Sequence, residues 1–356
     1  MNTKDIRNLL IVVAVGVIIW FIPTPEGLTD QAWHLFACVA AIIIGFIVQP
    51  MPLGAVAFIG ITVIATTGTL TTAEVLRGFS TPAMWLIVSA FVFARAFLKT
   101  GLGRRIAYTI LKAIGGSTLN VGYALALTDL VLAPATPSSS ARAGGIIFPI
   151  ARSLASALGS EPGPTARRAG AYFLQVIYQT EGIVCAMFMT AMAGNPMIVE
   201  LAKETANVDI TWGLWLKASI VPGVIAFILM PLLMYVIFPP ELKKTPEAKT
   251  LAAEELKKMG KITRDEIILA CTFVLVLVLW CTPTWNGLNA TNVAMIAVSI
   301  LFLSGVLKWD DMLGEKGAWD TLIWMGALVG LAGLLSSKGF IPWFSASVAG
   351  GLSGIP

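Results

Sequence analysis

Apolar runs long enough to cross a bilayer recur through almost the whole chain, and they leave it few ways to fold. The clearest, Trp212 to Phe238 (WGLWLKASIVPGVIAFILMPLLMYVIF), holds a single charged residue, Lys217. About 20 apolar residues in helical form span the hydrocarbon core. Lipid offers nothing to a free backbone N–H or C=O, so such segments form helices. The composition agrees. Of 356 residues, 57% are hydrophobic and 12% are charged, against about 25% charged in soluble domains. The expected fold is therefore an all-α polytopic membrane protein. Its spans fall at 32–49, 53–70, 83–98, 212–238, 265–283, 290–307 and 319–336, with a longer, broken helix at 168–204. The run Leu9–Ile22 follows Lys4 and Arg7 and ends in Pro-Thr-Pro-Glu-Gly without a small-x-small cleavage site, so it reads as a retained first helix rather than a signal peptide.

Several function classes drop out. The net charge of +4 is spread over loops, as membrane-anchoring charge, and calls for no nucleic-acid partner. Cys38, Cys185, Cys271 and Cys281 lie in or beside apolar runs without metal-ligand spacing and read as small buried hydrophobes. His34 is the only histidine; there is no H-E-x-x-H and no phosphate-binding G-x-x-x-x-G-K-[ST]. Gly101-Leu-Gly103 lacks the third glycine of a dinucleotide fingerprint. No catalytic constellation is visible, so an enzyme is not expected. Trp20, Trp33, Trp212, Trp215, Trp309 and Trp319 sit near span ends and read as interfacial anchors.

Lysines and arginines orient the chain. With the N-terminus cytoplasmic, the clusters at Lys99–Lys112, Arg152–Arg168, Lys243–Arg264 and Lys308–Lys316 share its side only if 118–157 enters and leaves by one face. A single crossing there would put the lysine-rich stretch 239–264 outside. Segment 118–157 is thus expected to be a re-entrant hairpin, and 239–264 a cytoplasmic linker with a short surface helix. Gly78-Phe-Ser-Thr-Pro-Ala-Met-Trp85 can be laid on Gly317-Ala-Trp-Asp-Thr-Leu-Ile-Trp324, and Lys99-Thr-Gly-Leu102 falls near Ser337-Lys-Gly-Phe340. The two segments would cross in opposite directions, which is the signature of an inverted-repeat secondary transporter.

The hairpin carries the one stretch that contradicts its surroundings, Asp129 to Ile150 (DLVLAPATPSSSARAGGIIFPI). Pro134 and Pro137 end the incoming leg, and Gly144 and Gly145 are expected to let the outgoing leg start and pack closely. Non-helical backbone at this depth is tolerated only when buried in protein or lining a wet cavity. The tip, Thr136 to Ala141, sets hydroxyls beside a helix N-terminus, whose partial positive charge suits a carboxylate. Capping by the serines is the plainer alternative. Arg142 has two readings: a partner for a dicarboxylate or a nearby acid, or a side chain spent on backbone carbonyls or snorkelling to the inner face. Asp129 reads as a maker of structural hydrogen bonds, and Glu181 as a candidate proton or packing site. Arg95 and Lys217 are the other charges in apolar context.

The run LAPATPSSSARAGGIIFPI resembles the first signature of the divalent anion–sodium symporter family, in the branch of 2-oxoglutarate/malate translocators and citrate– or tartrate–succinate exchangers. Thr190-Ala-Met-Ala-Gly-Asn-Pro196 resembles that branch's helix break, and Gly101-Leu-Gly-Arg-Arg105 its amphipathic connector. The resemblance covers this chain and about the first three quarters of a family member, so a second hairpin is expected to be missing. It implies a homodimer whose elevator-like transport domain holds a carboxylate anion between two hairpin tips. Carried over, Thr136, Pro137, Ser138, Ser139, Ser140, Arg142, Asn195 and Pro196 are the substrate-binding candidates. Ser138 matches the motif serine, Ser139 stands where asparagine is usual and Ser140 where threonine is usual. Asn195 matches the asparagine of the break. The missing amide weakens any Na⁺ site at Ser138, Ser139 and Asn195, so no cofactor is expected beyond a possible Na⁺.

The layout that follows is a first helix at 1–31, a first repeat at 32–238, the linker 239–264 and a partial second repeat at 265–356. The first repeat holds a cytoplasmic amphipathic connector at 99–114, the hairpin 118–157, the broken helix 168–204 and the span 212–238. The expected function is di- or tricarboxylate exchange across a bacterial inner membrane, with lipid and small anions as partners. Na⁺-coupled symport, and a non-transporting membrane subunit or inactive fragment, are the alternatives.

Overall fold

The computed structural model describes residues 2–352. Those residues are helical and contain no β-strand beyond one isolated bridge, Ser117 to Lys244. Five of the helices are long and apolar enough to cross a membrane: Asp30–Val48, Pro82–Thr100, Thr118–Ala135, Trp212–Ile237 and Lys316–Ser337. The all-α polytopic fold is as the sequence predicts. The chain packs as two compact units, one made of Met1–Val88, Val199–Asp209 and Lys316–Pro356, the other of Ser89–Ile198 and Ile210–Glu315.

In the first unit, helix Thr3–Phe21 lies along Asp30–Val48, and Leu53–Thr66 lies along Lys316–Ser337. Leu35, Ile42, Ile61, Ile64, Leu331 and Leu334 form its core. At one point there is no room for a side chain. The turn Arg77–Ser80 rests on helix Lys316–Ser337 so closely that a Cβ on Gly78 would overlap the Gly326 carbonyl and come within 2.7 Å of the Gly330 nitrogen. Just before it, Thr71 and Glu74 form a capping box. The Thr71 backbone N–H and the Lys338 ammonium, 3.0 Å away, hold the Glu74 carboxyl down to about 2.

In the second unit, the connector is helix Leu102–Ile114, packed on the linker helix Pro246–Met259 with Ala248 and Ala252 fully buried between them. Arg105 ties the two together. Its Nε donates to Glu266 at 2.7 Å and its Nη1 to the Gly260 carbonyl at 3.0 Å. The hairpin then rises as Thr118–Leu132, turns at 133–139 and returns as Ser140–Ile147 and Phe148–Ala157. Its feet share an anchor. Thr118 N–H and Oγ1 donate to the carbonyls of Lys243 and Leu242, at 3.2 and 2.5 Å. Past the outgoing leg, the Arg167 and Arg168 carbonyls accept from Glu241 and Leu242, at 3.0 and 2.9 Å. One short piece of linker thus holds both Thr118 and the stretch Arg167–Arg168.

Three expectations need correcting. Cys38 and Cys185 are buried, but Cys271 and Cys281 are exposed. Both faces of these helices are apolar, one toward protein and one toward lipid, so hydrophobic context does not separate inside from outside. Trp212 is not an interfacial anchor: it is 4% exposed, stacked on Trp280 at 5.5 Å. The span placed at 53–70 ends at Thr66. The two stretches aligned as repeats do share a local form. Each has a long helix, then a glycine in left-handed conformation (Gly101, φ +81; Gly339, φ +93), then a second helix, Leu102–Ile114 or Phe340–Leu352.

The shared anchorage of the feet can be checked by accessibility. Single cysteines at the exposed positions Asn120 and Glu161, in a background without native cysteines, should label with an impermeant thiol reagent from the same side. Labelling from opposite sides would make the segment a crossing.

Candidate functional site

The hairpin turn lies against the break that follows helix Gly170–Met187, and both interruptions strand backbone carbonyls where lipid cannot serve them. Many of them find donors within the second unit. At the turn, Ala133 O accepts from Thr136 N–H at 3.2 Å, Pro134 O from Thr190 Oγ1 at 2.6 Å, Thr136 O from Arg142 Nη1 at 2.7 Å, Pro137 O from Ala193 N–H at 3.0 Å, and Ser138 O from Arg142 N–H at 3.0 Å. At the break, Asn195 Nδ2 donates to Cys185 O at 2.8 Å and to Phe188 O at 3.0 Å. Trp215 Nε1 serves Ala186 O at 2.9 Å, and Ser219 Oγ serves Met187 O at 2.7 Å.

Arg142 joins the two. Its side chain is fully buried. Nε donates to Asp129 Oδ1, Nη1 to Thr136 O and, at 3.2 Å, to Ala191 O, and Nη2 to Cys185 Sγ at 3.3 Å. Guanidinium suits this task because its donors fan out in one rigid plane. Of the two readings of Arg142, the structure realises pairing with a nearby acid and with backbone carbonyls. The side chain does not snorkel, and each of its three guanidinium nitrogens has a partner.

The outgoing leg begins as a π-helical stretch, Ser140–Ile147, in which Phe148 N–H reaches back to Ala143 O. Pro149 accounts for the wider coil. It has no N–H, and its ring would strike the carbonyl four residues earlier in a regular helix. Ser138 caps the leg, its Oγ accepting from Ala141 N–H at 3.2 Å, so capping is part of what the serines do. Gly144 and Gly145 do not act as expected. The leg starts several residues before them, a Cβ on Gly144 would meet nothing, and one on Gly145 would touch only Leu98 Cδ2, at 3.3 Å. The glycines therefore do not serve close packing of the legs.

The sequence-derived candidates thus gather in one place, in differing states. Thr136 and Pro137 are buried, with their carbonyls occupied. Ser138 is half-buried and capping, Ser139 is half-buried, and Ser140 is exposed. Asn195 is 6% exposed, with both amide hydrogens on carbonyls, and Pro196 is buried in the first turn of Gly194–Ala206, where no N–H is needed. Sequence reasoning missed Thr190, Trp215 and Ser219 as donors. A signal was present. Trp212, Trp215 and Ser219 are spaced i, i+3, i+7, a polar stripe along one face of an apolar helix.

A multi-pass helical membrane protein with a hairpin docked on a broken helix has the build of a secondary transporter, not of an enzyme. Comparison with known proteins makes this specific. The family described as "Sodium:sulfate symporter transmembrane region" matches residues 3–356, and the chain belongs to it. It is 50% identical over 347 residues to the Bacillus subtilis protein named "Putative malate transporter YflS", covering 97% of this chain and 73% of that one. It is 46% identical over 352 residues to the spinach protein named "Dicarboxylate transporter 1, chloroplastic", covering 99% of this chain and 62% of the relative. Against "Inner membrane protein YbhI" of Escherichia coli it is 40% identical over 351 residues, covering 97% of this chain and 73% of the relative. The chain thus spans less than two thirds of the plant relative's length.

The carbonyl network generates a stability prediction. Arg142→Met strands the Asp129 carboxylate and two carbonyls, and should cost about 3–5 kcal/mol, the range for breaking a buried pair from one side. Arg142→Lys should also destabilise, since one ammonium lacks the planar fan of donors. Adding Asp129→Leu to Arg142→Met should recover part of the loss. Thermal unfolding in detergent, followed by tryptophan fluorescence, reads all three; an unfolding midpoint for Arg142→Met equal to wild type would remove Arg142 from the network.

Proposed function

We propose that this chain supplies the first carboxylate-binding tip of a dicarboxylate exchanger. The observation that carries the reading is the asymmetry of the turn. Its carbonyls are tied off by Arg142, Thr190 and Ala193. The positive pole of the outgoing leg is left beside Ser139 and Ser140, an arrangement that favours an anion. The relatives from Bacillus and spinach, named for malate and dicarboxylate transport, point to the same substrate class.

Exchange is the finer part of the proposal. Arg142 is not an unbalanced charge that holds back the empty carrier, because Asp129 neutralises it. Two other features favour exchange. Ser139 brings no amide, and the Cys185 and Phe188 carbonyls are taken up by the amide hydrogens of Asn195, so the oxygens available to hold Na⁺ are few. The tip also keeps a helix pole that Ser138 caps at one N–H, and carrying it through lipid without its anion is costly. Elevator-like movement, a homodimer, a cytoplasmic N-terminus in an inner membrane, division into a first repeat, a linker and a partial second repeat, and a second tip completing the site all belong to this proposal. Na⁺-coupled symport is the second reading, favoured by the family's description as sodium:sulfate symporters.

Radiolabelled malate uptake by the reconstituted protein separates the two. Exchange requires dicarboxylate inside the liposomes and proceeds equally in Na⁺, K⁺ or choline. Uptake into empty liposomes driven by a Na⁺ gradient selects symport. Ser139→Ala should weaken malate binding about tenfold or more, since a hydrogen bond to a charged group contributes about 1.5–3 kcal/mol.

A further inference from the structure

Trp215 and Ser219, on helix Trp212–Ile237, give their hydrogens directly to carbonyls of the break, and Trp212 does not. Its indole N–H donates to the hydroxyl of Thr190 at 3.1 Å, and that hydroxyl donates in turn to Pro134 O in the hairpin turn, at 2.6 Å. Thr190 is 1% exposed and Trp212 4%. Aromatic neighbours hold the indole in place. It stacks on Phe188, ring centroids 6.2 Å apart, and on Trp280, whose own Nε1 is fixed to Ala290 O at 3.1 Å. Below it, Thr211 caps the helix that Trp212 begins, Oγ1 accepting from Leu214 N–H at 3.2 Å.

Pro134 O needs this help. The turn Ala133–Ala135 is 3₁₀, and continuing it would require an N–H at Pro137, which has none. A threonine hydroxyl carries one hydrogen and rotates to place it. In a helix it is commonly given to a carbonyl three or four residues back. Here those are Met187 O and Ala186 O, and Ser219 and Trp215 already serve them. An indole N–H can only donate, so the Thr190 oxygen facing Trp212 accepts, and its hydrogen is turned toward Pro134 O. A hydroxyl that accepts one bond also donates the next more strongly. Two residues past Pro134 the chain enters the tip at Thr136.

We propose that Trp212 is a positioning residue for the tip: by fixing the direction of the Thr190 hydroxyl, it seats the hairpin turn in the geometry that binds a carboxylate. Trp280 and Ala290 extend the same line of contacts to helices Arg264–Cys281 and Ala290–Leu303, so the seat of the turn is tied to the packing of that helix pair. The proposal rests on the reading of the tip as a carboxylate site. Trp212 touches no substrate; it acts through Thr190 alone, and the two residues form one unit whose effects do not add.

Two measurements on the full chain in detergent test it. Amide hydrogen exchange, read by mass spectrometry without malate, follows the N–H groups of Thr136, Ala141 and Arg142. Trp212→Phe keeps an aromatic ring and loses the N–H; Thr190→Val keeps the shape and loses the hydroxyl. Each should speed exchange at the turn by about two- to tenfold, the worth of one neutral hydrogen bond, and leave the first unit unchanged. The double variant should be no faster than Thr190→Val, and Thr190→Ser should restore the wild-type rate. An unchanged turn, a double variant showing the product of the single effects, or acceleration spread evenly over the chain overturns the proposal. Calorimetric titration with malate is the second arm. Trp212→Phe and Thr190→Val should weaken binding by a similar factor, with Thr190→Ser close to wild type; equal affinity in all four proteins overturns the proposal. Exchange altered as expected, with no malate bound even by wild type, leaves Trp212 positioning the turn and sinks the carboxylate reading of the tip.

Discussion

A carbonyl oxygen at membrane depth needs a donor, and the centre of this molecule is organised by that need. Breaking two helices side by side creates more stranded acceptors than the backbone N–H groups nearby can serve. Arg142 meets the shortage at the point where the breaks touch, and Asp129 makes its charge tolerable there. A buried ion pair by itself is weak evidence for stability. Here the pair is joined to two carbonyls and a thiol, so the arginine works as a bracket between the hairpin turn and the helix break. Asn195, Thr190, Trp215 and Ser219 complete the same task on the side of the break.

That arrangement bears on how an anion site can be built without a free cation. The guanidinium fixes the turn, and fixing the turn presents the outgoing leg's first residues as a site. The chemistry left for a ligand is that of a helix pole and hydroxyls.

Much of this was legible in the sequence, and the part that was not has a definite cause. Charge placement alone argues for a return of 118–157 to its own side, because lysines and arginines mark one face of a membrane independently of local conformation. Pro134 and Pro137 announced the turn, since neither can donate to a helix. The partners of Arg142 were not legible. Asp129 is thirteen residues away on the other leg, Cys185 lies on another helix and Ala191 in the break that follows it, and no periodicity links them. Asn195 was named as a site residue for its place in the motif, and its amide hydrogens prove to be spent on carbonyls. Buried and lipid-facing positions were confused for Cys271 and Cys281 because the outside of such a protein is as apolar as its inside.

The hairpin's feet are fastened to the linker through backbone atoms on the linker side: carbonyls of Leu242 and Lys243, N–H groups of Glu241 and Leu242. Such a fastening is blind to side-chain identity. Residues 241–243 could change their chemistry widely while the clasp held, provided none became a proline where an N–H is used. What the clasp does depend on is continuity. A nick on either side of it would leave every functional side chain in place, yet turn a loop pinned at both ends into two loose tails. The one long polar stretch of the chain, which in sequence looks like a tether between halves, is in mechanical terms a latch on the hairpin's base.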